Sequence, residues 1–137
     1  MAYNGYLVKV GGANGTILPM RYIKLEGYKI SPNQRMEVEA KRDVEGYLHR
    51  KTVTHTSTKI EFETPIMTNR DFSGLVQLLR SHYTVPTERK LTIQYYDTDT
   101  DSYKTAECYV PDYTPEINRI ENNIIYYNSV RFAFIEY

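Results

Sequence analysis

Three observations predict a mainly β fold, a sandwich or barrel of antiparallel strands with one α-helix. Short runs of alternating apolar and polar residues recur between turns rich in Gly, Pro and Asn. Tyrosine dominates the aromatics, with fourteen Tyr against four Phe and no Trp, and its ring and hydroxyl suit half-buried strand positions. Only Thr68–Tyr83 carries a convincing helical period. Phe72, Leu75, Val76, Leu79 and Tyr83 fall at i, i+3, i+4, i+7 and i+11 and share one face. Thr68 is a fitting N-cap with Asp71 three residues on, and Met67 before it can staple onto Phe72. Arg80 and His82 suit the C-terminal dipole, and Pro86 stops the helix from running further. Gly74 costs about 1 kcal/mol of propensity against Ala, so the helix depends on tertiary packing. A one-faced helix among strands lies across a sheet or plugs a barrel end.

The strands follow in order. Tyr6–Val10 leads into a turn over Gly11–Gly15, where Asn14-Gly15 is the hairpin signal, and Thr16–Leu18 pairs back before Pro19. Tyr22–Ile30 alternates, with Ile23 and Leu25 on one face, until Gly27 marks a bulge that switches faces for Tyr28 and Ile30. Ser31-Pro32-Asn33 reads as a turn. Lys59–Glu63 points Ile60 and Phe62 inward. Leu91, Ile93 and Tyr95 form one face of the next strand. Asp97–Ser102 turns, and Tyr103–Val110 returns with Ala106, Cys108 and Val110 on one parity. Tyr113–Ile120 and Ile124–Tyr137 form a last hairpin around Glu121-Asn122-Asn123, with apolar residues on both faces of Val130–Tyr137. The pattern gives about eight or nine strands in a single domain.

Arg35–Thr58 stands apart. It is long and polar, with scattered Met36, Val38, Ala40, Val44, Tyr47, Leu48 and Val53. Asp43-Val44-Glu45-Gly46 reads as a hairpin tip, with Gly46 free to take positive φ. Two strands with so little core are marginal in water alone. The segment is either a partnerless loop or an arm that orders on a neighbouring subunit. In the second case Glu37, Glu39, Lys41, Arg42, Tyr47, Arg50 and Lys51 lie at the contact, where charges set register more than affinity.

Charge and composition exclude several function classes. The chain has 17 acidic and 17 basic residues among 137, a formal net charge of zero. This is not the basic footprint of sequence-specific nucleic-acid binding or of a polybasic membrane surface. No apolar run approaches the roughly 18 residues of a membrane span, and MAYNGYLVKV lacks the pattern of a signal peptide. The single cysteine excludes an internal disulfide framework and fits folding in a reducing cytosol.

The motifs carry no chemistry. Asp97-Thr98-Asp99-Thr100-Asp101 resembles the opening of a calcium loop, but Ser102 and Cys108 stand where that loop needs Gly and an acid. His49, His55 and Cys108 lack zinc-ligand spacing. Alternation makes Cys108 a small core residue rather than a nucleophile. Gly11-Gly12-x-x-Gly15 opens a hairpin, not the helix a phosphate loop needs. Glu61 and Glu63 read as solvated residues on an outward strand face. We therefore expect neither catalytic residues nor a cofactor or metal.

Four stretches together resemble a known family. They are RDVEGYLHR at Arg42–Arg50, TKIEFETPIMT at Thr58–Thr68, ERKLTIQYYDTDTDSYKT at Glu88–Thr105 and IIYYNSVRFAFIEY at Ile124–Tyr137. They resemble a small protein encoded in the tail-morphogenesis region of phages and prophages of Gram-positive gut bacteria. The element order is also similar to the tail-tube fold of tube, terminator and distal tail proteins. The resemblance implies a ring, commonly hexameric, whose long loop (Arg35–Thr58 here) reaches neighbouring subunits. It implies a tail tube or baseplate hub component of the virion, folded in the bacterial cytoplasm. Its partners would be other tail proteins, with a lumen through which DNA passes. The alternative is a monomeric binding module or tail-assembly chaperone.

Overall fold

The computed structural model describes residues 3–35, 37–52 and 54–137, without the side chain of Glu37. The expected arm residues Met36 and Val53, and the first two residues of MAYNGYLVKV, lie outside that description. In chain order the elements are β1 (Val8–Val10), β2 (Thr16–Ile17), a 3₁₀ turn (Met20–Tyr22), β3 (Lys24–Gln34), β4 (Glu37–Arg42) and β5 (Leu48–Thr52). There follow β6 (Ser57–Glu63), β7 (Met67–Thr68), α1 (Asn69–Arg80), a second 3₁₀ turn (Pro86–Glu88), β8 (Lys90–Asp97) and β9 (Ser102–Tyr109). The last three are β10 (Ile117–Glu121), β11 (Ile124–Tyr127) and β12 (Arg131–Glu136). The fold is mainly antiparallel β with one α-helix among the described residues.

Seven strands form the main sheet in the order β2-β1-β8-β9-β12-β6-β3; β10-β11-β7 and β4-β5 form two smaller sheets. The main sheet curls. Thr58 of β6 and Tyr95 of β8 are separated by β9 and β12, yet their hydroxyls meet at 3.2 Å, against roughly 14 Å for three flat strand spacings. The alternation in β8 and β9 sends Leu91, Ile93, Tyr95, Ala106 and Cys108 inward. Ile60 and Phe62 of β6 and Phe132 and Phe134 of β12 join them. Burial pushes the Cys108 thiol up to about 12, so it stays a protonated core residue.

Helix α1 closes this core. Thr68 Oγ1 accepts from the Asp71 amide at 3.3 Å, an N-cap. Phe72, Leu75 and Leu79 are buried, Val76 is half-buried, and Phe72 packs its ring on Phe132, Tyr113 and Tyr127. Gly74 has a specific use: a Cβ there would stand 2.9 Å from the Tyr22 hydroxyl, so the missing side chain lets Tyr22 reach the helix. The helix stops at Arg80, earlier than the periodicity implied, and Ser81–Tyr83 continue as a tighter turn. Its end is set by Ser81 Oγ and His82 Nδ1, both within 3.0 Å of the Leu78 carbonyl, not by Pro86, which opens the second 3₁₀ turn.

Four local readings need correction. The left-handed residues of the first turn are Gly11 (φ 98°) and Gly12 (φ 87°), not Asn14 and Gly15. Ser31-Pro32-Asn33 is not a turn: β3 runs through it, with Asn33 at φ 51° and a register shift between Ser31 and Gln34. The predicted irregularity at Gly27 is present between Lys24 and Lys29, but Leu25 is exposed while Ile23 is buried. Ile124–Tyr137 is two strands. Its first half pairs with β10 through Asn122 and Asn123, both at positive φ, and its second half inserts between β9 and β6.

The helix face yields a direct test. Leu75→Asp or Leu79→Asp would bury an unpaired carboxylate and should lower stability by more than about 3 kcal/mol. Thermal melts matching the parent would show that the helix does not pack as described.

Candidate functional site

Strands β4 and β5 form a two-stranded arm paired from Glu37↔Thr52 to Arg42↔Leu48. Its tip is built by Asp43, whose Oδ1 accepts from the amides of Glu45 and Tyr47 at 3.0 Å, while Oδ2 meets His49 Nε2 at 2.9 Å. The His49 contact and these amides hold the Asp43 carboxyl below its ordinary value. Gly46 takes φ 89°, and its carbonyl accepts from Arg42. Cross-strand pairs share a face, so Glu39, Lys41, His49 and Lys51 line one side and Ala40, Arg42, Leu48 and Arg50 the other. Glu39 pairs with Lys41 at 3.4 Å. Val38, Val44, Tyr47 and Leu48 are exposed, Val44 fully. Of the sequence-selected residues, the arm thus sets Glu39, Lys41 and Lys51 on one face and Arg42 and Arg50 on the other, with Tyr47 at the tip.

Its foot is anchored in the sheet. Thr58, 4% exposed, receives the Asn33 amide on Oγ1 and gives its own amide to Glu136 Oε1 at 2.8 Å. Asn33 Nδ2 donates to Asp99 at 2.9 Å. Arg35 donates to the Thr54 carbonyl, and His55 Nε2 lies 3.1 Å from the Tyr137 carbonyl. His49 and His55 therefore serve separate contacts, one at the tip and one at the foot.

The aspartate run is the turn expected, with a buried member. Asp97 is fully buried and pairs with Lys104 at 2.9 Å. Burial pulls its pKa up, but Lys104, the Asp99 amide and the Thr100 hydroxyl outweigh that and hold it below its ordinary value. Because these groups already occupy the carboxylate, millimolar calcium should leave the melting temperature unchanged. A saturable rise would identify a native-state metal site instead.

Glu61 departs from the solvated reading. Lys59 lies at 2.8 Å and Lys29 at 3.6 Å, and Arg131 donates to the same carboxylate. Lys59 and then Arg131 lower its pKa from 4.5 to about 2. A carboxyl so held is a poor proton carrier near neutral pH. Lys59 is two residues away on β6, but Lys29 and Arg131 come from β3 and β12, which no local pattern could reveal. Since the folded value lies below the ordinary one, this network stabilises fully above pH 4.5 and is lost as pH falls toward about 2. Glu61→Gln should therefore flatten the stability–pH curve in that window; slopes equal to the parent's would contradict the assignment.

Among the described residues no helix is long and apolar enough to cross a membrane. Compared with known families, residues 1–137 match the model of a family of unknown function, DUF6711. The chain belongs to that family. No curated protein matches it. Among solved structures, the DUF6711 chain is similar to one described as "Tail of empty GTA particle computed with helical refinement, C6 symmetry". The TM-score is 0.54 at 14% identity, covering 99% of this chain and 95% of that one. At that identity the likeness shows a shared fold.

Proposed function

We propose that this protein is a structural component of a phage-type tail, forming a ring, by our reading of six subunits, at the tail tube or its distal end. The observation that carries the reading is the fold shared along 99% of the chain with a chain from a C6-symmetric particle tail. The four sequence stretches resembling a phage tail-morphogenesis family point the same way. In this reading residues 1–137 act as one tail-tube-like domain, and the arm lies on a neighbouring subunit. Glu39, Lys41, Arg42, Tyr47, Arg50 and Lys51 meet that neighbour. Val38, Tyr47 and Leu48 are exposed on the arm, apolar surface that a neighbouring subunit would cover. The role is mechanical rather than enzymatic. Other tail proteins stack above and below, and the lumen passes DNA without reading its sequence. The protein folds in the host cytoplasm and remains in the virion.

Replacing residues 36–53 by an Asn-Gly turn tests this. The shortened chain should fold, because the core strands and α1 are untouched, and should be monomeric by light scattering where the parent oligomerises. Assembly equal to the parent's would remove the arm from the account.

A further inference from the structure

At the far end of the main sheet from the arm's foot lies a cleft of about 300 Å³ lined by Val76, Arg80, Tyr83, Pro86, Arg89 and Tyr113. Val76, Pro86 and the rings of Tyr83 and Tyr113 give it apolar surface, and Arg80 and Arg89 are its charged lining residues. Arg89 takes φ 51° at the end of the second 3₁₀ turn, which sets its guanidinium 5.2 Å from the Tyr113 ring centroid and 2.9 Å from exposed Asp112. The Arg80 guanidinium makes no hydrogen bond or ion pair among the described residues, although its carbonyl accepts from the Tyr83 amide. The arm tip is the complement. Val44 is fully exposed, and the neighbouring Glu45 carboxylate has no partner among the described residues.

We propose that this cleft receives the arm tip of a second copy of the chain, with the Val44 side chain between Val76 and Tyr113 and the Glu45 carboxylate on Arg80 and Arg89. The inference rests on the ring reading above and names the surface the arm needs. Charge complementarity selects the occupant. Position supports it: Asn33, at the arm's foot, bonds the turn after Asp97, whereas Arg89 immediately precedes Lys90 at the other end of β8. The two ends are roughly 23 Å apart at strand rise. A ring closes through unlike patches, so a projecting tip and a distant cleft are the pair that a head-to-tail contact requires.

Two experiments on the full-length chain test this. In the first, Glu45→Arg and Arg80→Glu should each weaken self-association on the order of tenfold, and the double variant should recover most of it. In the second, Val44→Cys with Val76→Cys should form, under mild oxidation, an intermolecular ladder on non-reducing gels that neither single variant gives. Buried Cys108 does not compete. No rescue and no ladder, in a chain whose arm deletion still abolishes assembly, overturns the cleft assignment and leaves the arm reading standing. Assembly that survives arm deletion overturns both, as does a parent that stays monomeric. If Arg80→Glu blocks incorporation into particles but the ladder is absent, another protein fills the cleft and the proposal fails.

Discussion

The inner face of a curled seven-stranded sheet cannot remain wet, and the rest of the molecule is arranged around covering it. Phe62, Phe132, Phe134, Leu91 and Ile93 are each at most 1% exposed, and each such side chain contributes about 1.5–3 kcal/mol by leaving water. Helix α1 supplies Phe72, Leu75 and Leu79 to that face. Its own sequence is a poor helix former at Gly74, and the Tyr22 contact explains why the glycine is there. Packing holds the helix in place more than propensity does.

The arm obeys a different constraint. It buries little of its own surface, yet its foot is tied to the sheet through Thr58, Asn33 and Glu136. A ribbon anchored this firmly at one end, with Val44 fully in water at the other, carries order outward without a core of its own. In the proposed assembly, fixing the foot would reduce the conformational entropy lost on docking the tip and so strengthen docking for the same contacts.

Much of this was legible in the sequence because it depends on near neighbours. The period of α1, the alternation of β8 and β9, the Thr68 cap and the tip at Asp43–Gly46 are local patterns, and they predicted these elements. What was not legible depends on distant strands. Glu61 looked solvated because Lys29 and Arg131 come from other elements. Ser31-Pro32-Asn33 looked like a turn by composition, but its strand is at the sheet edge, where a missing amide costs no ladder bond. The interruption of Ile124–Tyr137 follows from β11 pairing with β7 while β12 joins another sheet. The cleft beside Arg89 draws on the helix, a 3₁₀ turn and the segment after β9, so no single stretch announces it.

In this account function resides in how copies of the chain meet. In the proposed ring, the arm at one end of the chain and the cleft at the other supply the unlike patches that a head-to-tail contact needs. Electron-microscope class averages of the purified full-length protein test that claim most directly. The account predicts closed rings with rotational symmetry, six-fold by the proposed reading, in which each subunit's arm lies on its neighbour. Particles no larger than one 16.1 kDa chain, or two-fold dimers with both arms in solvent, would contradict it.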